Sequence, residues 1–474
     1  MNFERTTMVR SKNIDMCGGP LLKNILLYTL PLIATGMLQL LYNAADGIVV
    51  AKWAGGESLA AVGSNNSLIN LIINLFIGLS VGASVAVSRR YGADDAEGVH
   101  KTVHTAIALS LVAGIITMIA GLVIARQALV WMGTPDGVLD KAALYLRIYF
   151  IGMPASMLYN YSAAILRAVG DTRRPMYILI MSGIVNVILN LVLVIVFKWD
   201  VAGVAAATVI SQILSAALTV HCLINSDDCY RYEIKSTRIY KENLFEMLML
   251  GIPAGIQSTI FSASNIIIQS SINSFGVAAM SGNAASVNTE GFIYVAMNSM
   301  QQTCLAFTSQ NLGAKNYERL RRVFYTCIVS VTVIGVVLGA AAIVFGKPLL
   351  SLYTASAAAD SSVSPQEILD FGMRRLVIIA STYFLCGIMD TIVGGLRGLG
   401  ESLLPMIVSI VGVCGIRIVW IFTVFRYVDR SLECLIYSYT VSWFVTAAVH
   451  YVCYVVRLRK LLKENGVNSH GQAV

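Results

Sequence analysis

Charge is what this sequence has least of. Asp, Glu, Lys and Arg make up 13% of its 474 residues, whereas 57% are hydrophobic. Soluble globular chains carry about 25% charged residues, so this chain cannot clothe a water-facing surface of its size. A soluble enzyme is excluded. Paired cysteines are missing too. The nine cysteines (17, 222, 229, 304, 327, 386, 414, 434 and 453) are scattered without a C-x-x-C pair. Most fall in apolar stretches, where cysteine serves as a small buried hydrophobe. The five histidines (100, 104, 221, 450 and 470) show no zinc-ligand spacing, so no metal site is expected. No Walker sequence is present, so ATP is not expected to drive the protein directly. The first residues carry Arg5, Arg10 and Lys12 but no short apolar core ending in a cleavage site, so they do not read as a cleaved signal peptide. "GLSVG" at 78–82 fits a hydrolase nucleophile pattern but lies in mid-span, without the strand and turn that chemistry needs. Its glycines suit close helix packing instead.

Long apolar runs are abundant. A helix crosses the hydrocarbon core with about 20 apolar residues, and twelve such runs lie near 24–50, 59–88, 102–125, 146–166, 175–197, 201–225, 246–273, 277–308, 323–346, 375–396, 402–426 and 433–456. The net charge of +8 is concentrated in the first residues, the even-numbered loops and the C-terminus. Positive loops stay in the cytoplasm, which puts both termini there and makes nucleic acid an unneeded partner. The expected fold is an all-α polytopic membrane protein. Its parts are a tail over 1–19, a six-helix bundle over 20–225, a linker over 226–245, a second bundle over 246–456 and a tail over 457–474.

The two halves repeat. "LRAVGDTRRPM" at 166–176 matches "LRGLGESLLPM" at 396–406, and "SRRYGA" at 88–93 matches "SQNLGA" at 309–314. "AAVGSN" at 60–65 answers "AAMSGN" at 278–283, and Pro31 in helix 1 answers Pro253 in helix 7. Six helices per half is an even number, so both halves enter the membrane in the same direction, related by a pseudo-twofold axis along its normal. Parallel repeats of this kind are a transporter architecture.

Away from the span ends, four charges lie inside the spans: Asp46, Glu290, Asp390 and Arg417. Between Lys23 and Lys52, Asp46 is the only one. An ionised group at the bilayer centre costs about 2.5–3.5 kcal/mol even on the lenient insertion scale, so such groups face protein or a wet cavity. Helical spacing adds polar stripes around them. These are Gln39–Asn43–Asp46 on helix 1, Asn66–Asn70–Asn74 on helix 2 and Ser182–Asn186–Asn190 on helix 5. Helix 7 adds Ser258–Ser262–Asn265–Gln269, and helix 8 adds Glu290–Tyr294–Asn298–Gln301. Each asparagine alone is as well read as an interhelical hydrogen bond, worth about 0.6 kcal/mol. Together they imply a hydrated cleft.

These features resemble the multidrug and toxic compound extrusion (MATE) transporters, over nearly the whole chain from about residue 20 to 456. The specific parts are Asp46 followed by Gly55–Gly56, "LAAVG" at 59–63 and "MDTIVGGLRGLGE" at 389–401. The resemblance implies two six-helix bundles forming a V-shaped cleft, and export of organic, often cationic, compounds in exchange for H+ or Na+. It puts Asp46 on the family's helix 1 acid and Asp390 on its helix 10 acid. The sodium-coupled branch has a helix 7 glutamate about eight residues after the proline, where this chain has Phe261 and Ser262. Archaeal members carry a helix 5 aspartate in N-x-x-L-D, where "NVILN" here ends in Asn190. Both departures leave H+ and Na+ open.

On this reading the cation-coupling candidates are Asp46, Asn43, Asn186, Asn190 and Asp390. Those for substrate are Met37, Gln39, Gln257, Asn265, Asn283, Glu290, Tyr294, Tyr383 and again Asp390, with Arg417 as a structural or ion-pair candidate. Tyr42, Tyr159 and Tyr161 offer further aromatic contacts. The expected protein is a monomeric, multi-pass exporter of the inner or plasma membrane that handles small organic compounds without a bound cofactor. The rival within transport is a flippase or exporter of a lipid-linked or metabolite substrate. Such flippases usually add two helices and a basic central cavity, and neither is evident in the sequence. An intramembrane enzyme lacks a convergent nucleophile, and a channel is disfavoured by the parallel repeat.

Overall fold

The computed structural model describes residues 13–54, 56–351 and 364–467. Helices account for the regular structure among them, in twelve passes. These are α1 (Leu21–Val49), α2 (Gly56–Gly92) and α3 (Ala96–Trp131), then α4 in two segments (Asp136–Ile151 and Met153–Ala168), α5 (Arg173–Leu191) and α6 (Asp200–Ile224). The second half has α7 (Lys241–Asn273), α8 (Val277–Gly313), α9 (Tyr317–Val344), α10 (Pro365–Gly398), α11 (from Leu403 to Phe425) and α12 (Leu432–Glu464). π-helical turns extend α1 over Val50–Ala54 and α5 over Val192–Val196, and interrupt α11 at Ile410–Gly415 and Ile421–Phe425. Ten passes are long and apolar enough to cross a membrane unaided. The exceptions are α4, broken at Gly152, and α8, whose polar residues dilute its hydropathy.

The repeat in the sequence is a repeat in the backbone. Gly170 and Gly400, equivalent in the "LRAVGD" and "LRGLGE" segments, both adopt left-handed angles, with φ of 95° and 91°. Only glycine takes such angles without steric cost. After "SRRYGA" and "SQNLGA", Asp94 and Lys315 both sit at φ 55°, and the next residue caps a helix. Asp95 accepts from Gly98 N at 2.9 Å, and Asn316 accepts from Arg319 N at 3.3 Å. The serines that open the two motifs also match, Ser88 donating to Ala168 O and Ser309 to Gly398 O. All nine cysteines are free, and six of them are buried.

The chain divides into two compact units. One holds Leu30–Gly255 with the short segment ending at Met16; the other holds Cys17–Thr29 with Ile256 onward. The divisions fall inside α1 and α7, two residues from Pro31 and from Pro253. The segment 226–245, expected to link the bundles, lies wholly in the first unit, and its bonds explain why. Tyr91 OH donates to Asp228 at 3.0 Å, Glu233 N donates to His104 Nε2 at 3.1 Å, and Asn243 donates to Thr102 at 2.7 Å. The first part of α7 stays there too, because Gly78 and Gly82 of α2 lie against the backbone at Gly255 and Met247. A side chain at either glycine would collide with α7. That is the close packing expected of "GLSVG".

Candidate functional site

In the first unit, polarity gathers around Asp46. Gly183 of α5 lies under the Tyr42 ring, where any side chain would collide with it, so α1 and α5 approach closely. Tyr42 OH also donates to Ile180 O at 3.3 Å. This contact brings the i, i+4 pair Asn186 and Asn190 beside the carboxylate. Asn190 Nδ2 donates to Asp46 Oδ1 at 2.5 Å and to Asn186 Oδ1 at 3.2 Å, and Asn186 Nδ2 donates to Ser211 of α6 at 3.4 Å. Asn186 and Asn190 are buried and Asp46 is half-buried. No Lys or Arg pairs with Asp46 among the described residues. The buried Asn190 Oδ1 has no partner among the described residues, which leaves an oxygen beside the carboxylate.

Several expected members do not join this cluster. Asn43 and Gln39 are exposed, and no hydrogen bond ties Asn43 to Asp46. A spacing of three residues is 60° short of a full turn, and α5 fills the face that Asp46 presents. Met37 is half-buried on the same helix. Gly55 and the side chains of Leu59 and Asn66 lie outside the described residues.

The second unit is built differently, around arginines. Glu290 of α8, expected as a substrate contact, is buried in a two-pronged pair with Arg375 of α10. Arg375 Nε and Nη2 reach its two oxygens at 3.0 and 2.9 Å, and Ser286 donates to it at 2.7 Å. α8 and α10 come this close because Gly282 faces the backbone at Ile368 and Gly394 faces that at Gln301. Arg375 was not among the expected intramembrane charges, since the apolar run starts there. The helix starts earlier, at Pro365, with Ser364 capping it by accepting from Gln366 N. At 1.5 Å per residue, Arg375 is about 15 Å inside the helix.

Asp390 is buried, with Arg397 two turns on along α10. Arg397 opens a buried chain: its Nη2 donates to Gln257 at 2.8 Å, Gln257 donates to Ser409 at 3.1 Å, and Ser409 meets His450 Nε2 at 2.9 Å. Gln257 therefore serves an arginine, and neither Arg397 nor His450 was anticipated as a site residue. Asn283 is buried and donates to Gln269 at 2.8 Å. Tyr294 is exposed, while Tyr383 is buried edge-on against Trp443, with ring centres 5.3 Å apart.

Arg417, read as the ion-pair partner of an acid, has no carboxylate among the described residues. Its Nε donates to Ser442 at 3.0 Å and its Nη1 to Asn265 at 3.4 Å, and its guanidinium lies 4.1 Å from the Tyr439 ring centre. Glu290, an acid of the same unit, is taken by Arg375. The second unit thus buries three arginines, Arg375, Arg397 and Arg417, together with two acids, Glu290 and Asp390.

The MatE family model matches residues 31–192 and 253–423, two stretches that begin at Pro31 and at Pro253. The chain is 28% identical over 440 residues to the probable multidrug resistance protein YoeA of Bacillus subtilis, covering 91% of this chain and 93% of that protein. It is 22% identical over 383 residues to the multidrug export protein MepA of Staphylococcus aureus, covering 81% and 83%. Among solved structures, a MOP superfamily transporter from Pyrococcus furiosus superposes with a TM-score of 0.88 at 24% identity, over 95% of this chain and 99% of that one.

Proposed function

Because the chain belongs to the MatE family, we propose that it is a secondary active multidrug exporter. It moves organic compounds, cations among them, out of the cell in exchange for H+ or Na+, by alternating access. The observation that carries the coupling role is Asp46: a carboxylate inside an apolar span, held among the described residues by the neutral amide of Asn190, itself bonded to Asn186. A group so placed changes charge cheaply when its surroundings turn from dry to wet, because no fixed cation pins it. Asn190 orients it through Nδ2, and the Asn190 and Asn186 oxygens beside it add ligands for Na+, a hard ion that prefers oxygen. Asp390 contributes negative charge for cationic cargo, and Tyr294 and Tyr383 contribute aromatic surface. The protein works as a monomer in the plasma membrane with both termini in the cytoplasm, as the distribution of Lys and Arg supports. It needs no bound cofactor and catalyses no covalent step.

The test is transport by purified protein in vesicles, with Na+ and pH gradients imposed separately across a panel of organic cations. One of the two gradients is expected to drive accumulation against the cargo gradient. Movement that follows neither gradient would remove the exchange mechanism. A second reading, a flippase or exporter of a lipid-linked or metabolite substrate, is favoured by the buried arginines of the second unit. A labelled lipid that crosses the same vesicles faster with protein than without would support it.

A further inference from the structure

Among the described buried cations of the second unit, Arg417 is the one with no carboxylate on it or on its own helix. Arg375 is committed to Glu290 through two parallel hydrogen bonds, and Arg397 has Asp390 on its own helix. Arg417 is 5% exposed, yet its hydrogen-bond partners are a serine hydroxyl and an amide. A guanidinium carries five N–H donors. Ser442 and Asn265 engage Nε and Nη1, and Nη2 makes no hydrogen bond among the described residues. A buried charge without a counter-charge is costly to keep, so its retention calls for a reason.

The surroundings suggest one. Tyr439 backs the guanidinium at 4.1 Å, and Trp443 lies 5.8 Å from it. Trp443 is edge-on to Tyr439 at 5.7 Å and to Tyr383 at 5.3 Å. A guanidinium backed by rings offers planar N–H donors to an anion, one N–H for each carboxylate oxygen, and here Nη2 and the second N–H of Nη1 are left for that. Asn265, which receives Nη1, is exposed, so the charge lies just beneath an accessible part of α7. The rings offer flat apolar surface beside it.

We propose that Arg417, with Asn265 and the Tyr383–Tyr439–Trp443 cluster, forms a subsite for the carboxylate end of an aromatic cargo. The inference rests on the export reading and narrows it: cargo of this protein includes aromatic monocarboxylates as well as cations. A single fixed charge suits a monoanion. A phosphate dianion would need a second free cation, and Arg375 is occupied.

The experiment compares three probes of one shape, 1-naphthoate, 1-naphthylmethanol and 1-naphthylmethylammonium. Binding is measured by calorimetry on the full-length protein in lipid nanodiscs, and transport is measured in vesicles. Wild type is expected to bind naphthoate at least tenfold more tightly than the alcohol. Arg417→Gln is expected to erase that preference and change binding of the alcohol less than twofold, with Arg417→Lys in between. Equal affinity of wild type for naphthoate and alcohol overturns the subsite, whatever the variants do. An equal loss of all three probes in Arg417→Gln overturns it in favour of a structural arginine. Naphthoate preference without gradient-driven transport of any probe would keep the subsite and remove the export reading. Normal transport of cations without the preference would do the reverse.

Discussion

The two units arise from one repeated pattern, yet they treat buried charge in opposite ways. The first surrounds its carboxylate with amides: Asp46 meets Asn190, and Asn190 meets Asn186. The second pairs Glu290 with the guanidinium of Arg375 and sets Arg397 two turns along the helix from Asp390. Two unit charges 4 Å apart interact by about 4 kcal/mol at an effective dielectric constant near 20. Glu290 would forfeit energy of that order on losing its charge, and Asp46, with neutral partners, would not. A carboxylate among amides is suited to gain and lose a charge. A carboxylate beside a guanidinium holds its charge and its position. Under the proposed function, the difference implies a division of labour, with coupling in the first unit and cargo recognition in the second.

The largest test of that contrast is Asp46→Asn, which swaps a titratable group for one of the same shape. Gradient-driven export should fall by at least about 100-fold while cargo binding and melting temperature hold, since no ion pair is broken. Efflux at the wild-type level, measured beside binding on the same preparation, would end the coupling role. Next comes stability. Glu290→Ala strands Arg375 in a buried site, and breaking one partner of a buried pair costs about 3–5 kcal/mol. Its melting temperature should drop far more than that of Asp46→Asn. Equal drops would erase the contrast between the units.

Smaller effects sharpen the picture. The position equivalent to Asp390 in the first half is Asn160, which donates to Ser156 O at 2.8 Å, so this site is charged in one half only. Asp390→Asn should weaken export of cationic cargo several-fold and leave neutral cargo nearly unchanged, because the lost interaction is Coulombic. Equal loss for both cargoes, in a transport assay run with each, would point to structure instead. Smallest is the pair Asn190→Ala and Asn43→Ala. The first should impair coupling severalfold by removing the bond to Asp46, and the second should leave transport and melting unchanged. An effect of Asn43→Ala as large as that of Asn190→Ala would restore the helix 1 stripe as a working unit.

Much of this was legible in the sequence because period and composition carry it. Twelve apolar runs, the repeat and the shared face of Asn186 and Asn190 follow from spacing alone. The site's charge partners did not follow. Arg375 was placed at the membrane edge because hydropathy marks where apolar residues begin, whereas the helix begins where Ser364 caps it and Pro365 fits its first turn. Arg397 was hidden in the same way at the other end of α10. Asn43 shared a stripe with Asp46, but which face of that stripe is used depends on Gly183, a contact across helices that no local pattern reports. Arg417 was conspicuous from its setting, but its lack of an acid emerges only once Arg375 is seen to hold Glu290.

The polarity of α8 bears on how the protein is made. Val277–Gly313 is not among the passes apolar enough to cross a membrane alone, and Asn283, Ser286, Thr289 and Glu290 lie along it, all buried in the folded unit. A segment leaving the ribosome cannot yet use partners that have not been synthesised. Glu290 has no counter-charge until Arg375 emerges, 85 residues later. Lateral release of α8 into lipid before then would leave a bare carboxylate in hydrocarbon, a cost of about 2.5–3.5 kcal/mol even on the lenient scale. Integration of the second half is therefore expected to be collective, with α8 held at the insertion machinery until α10 arrives.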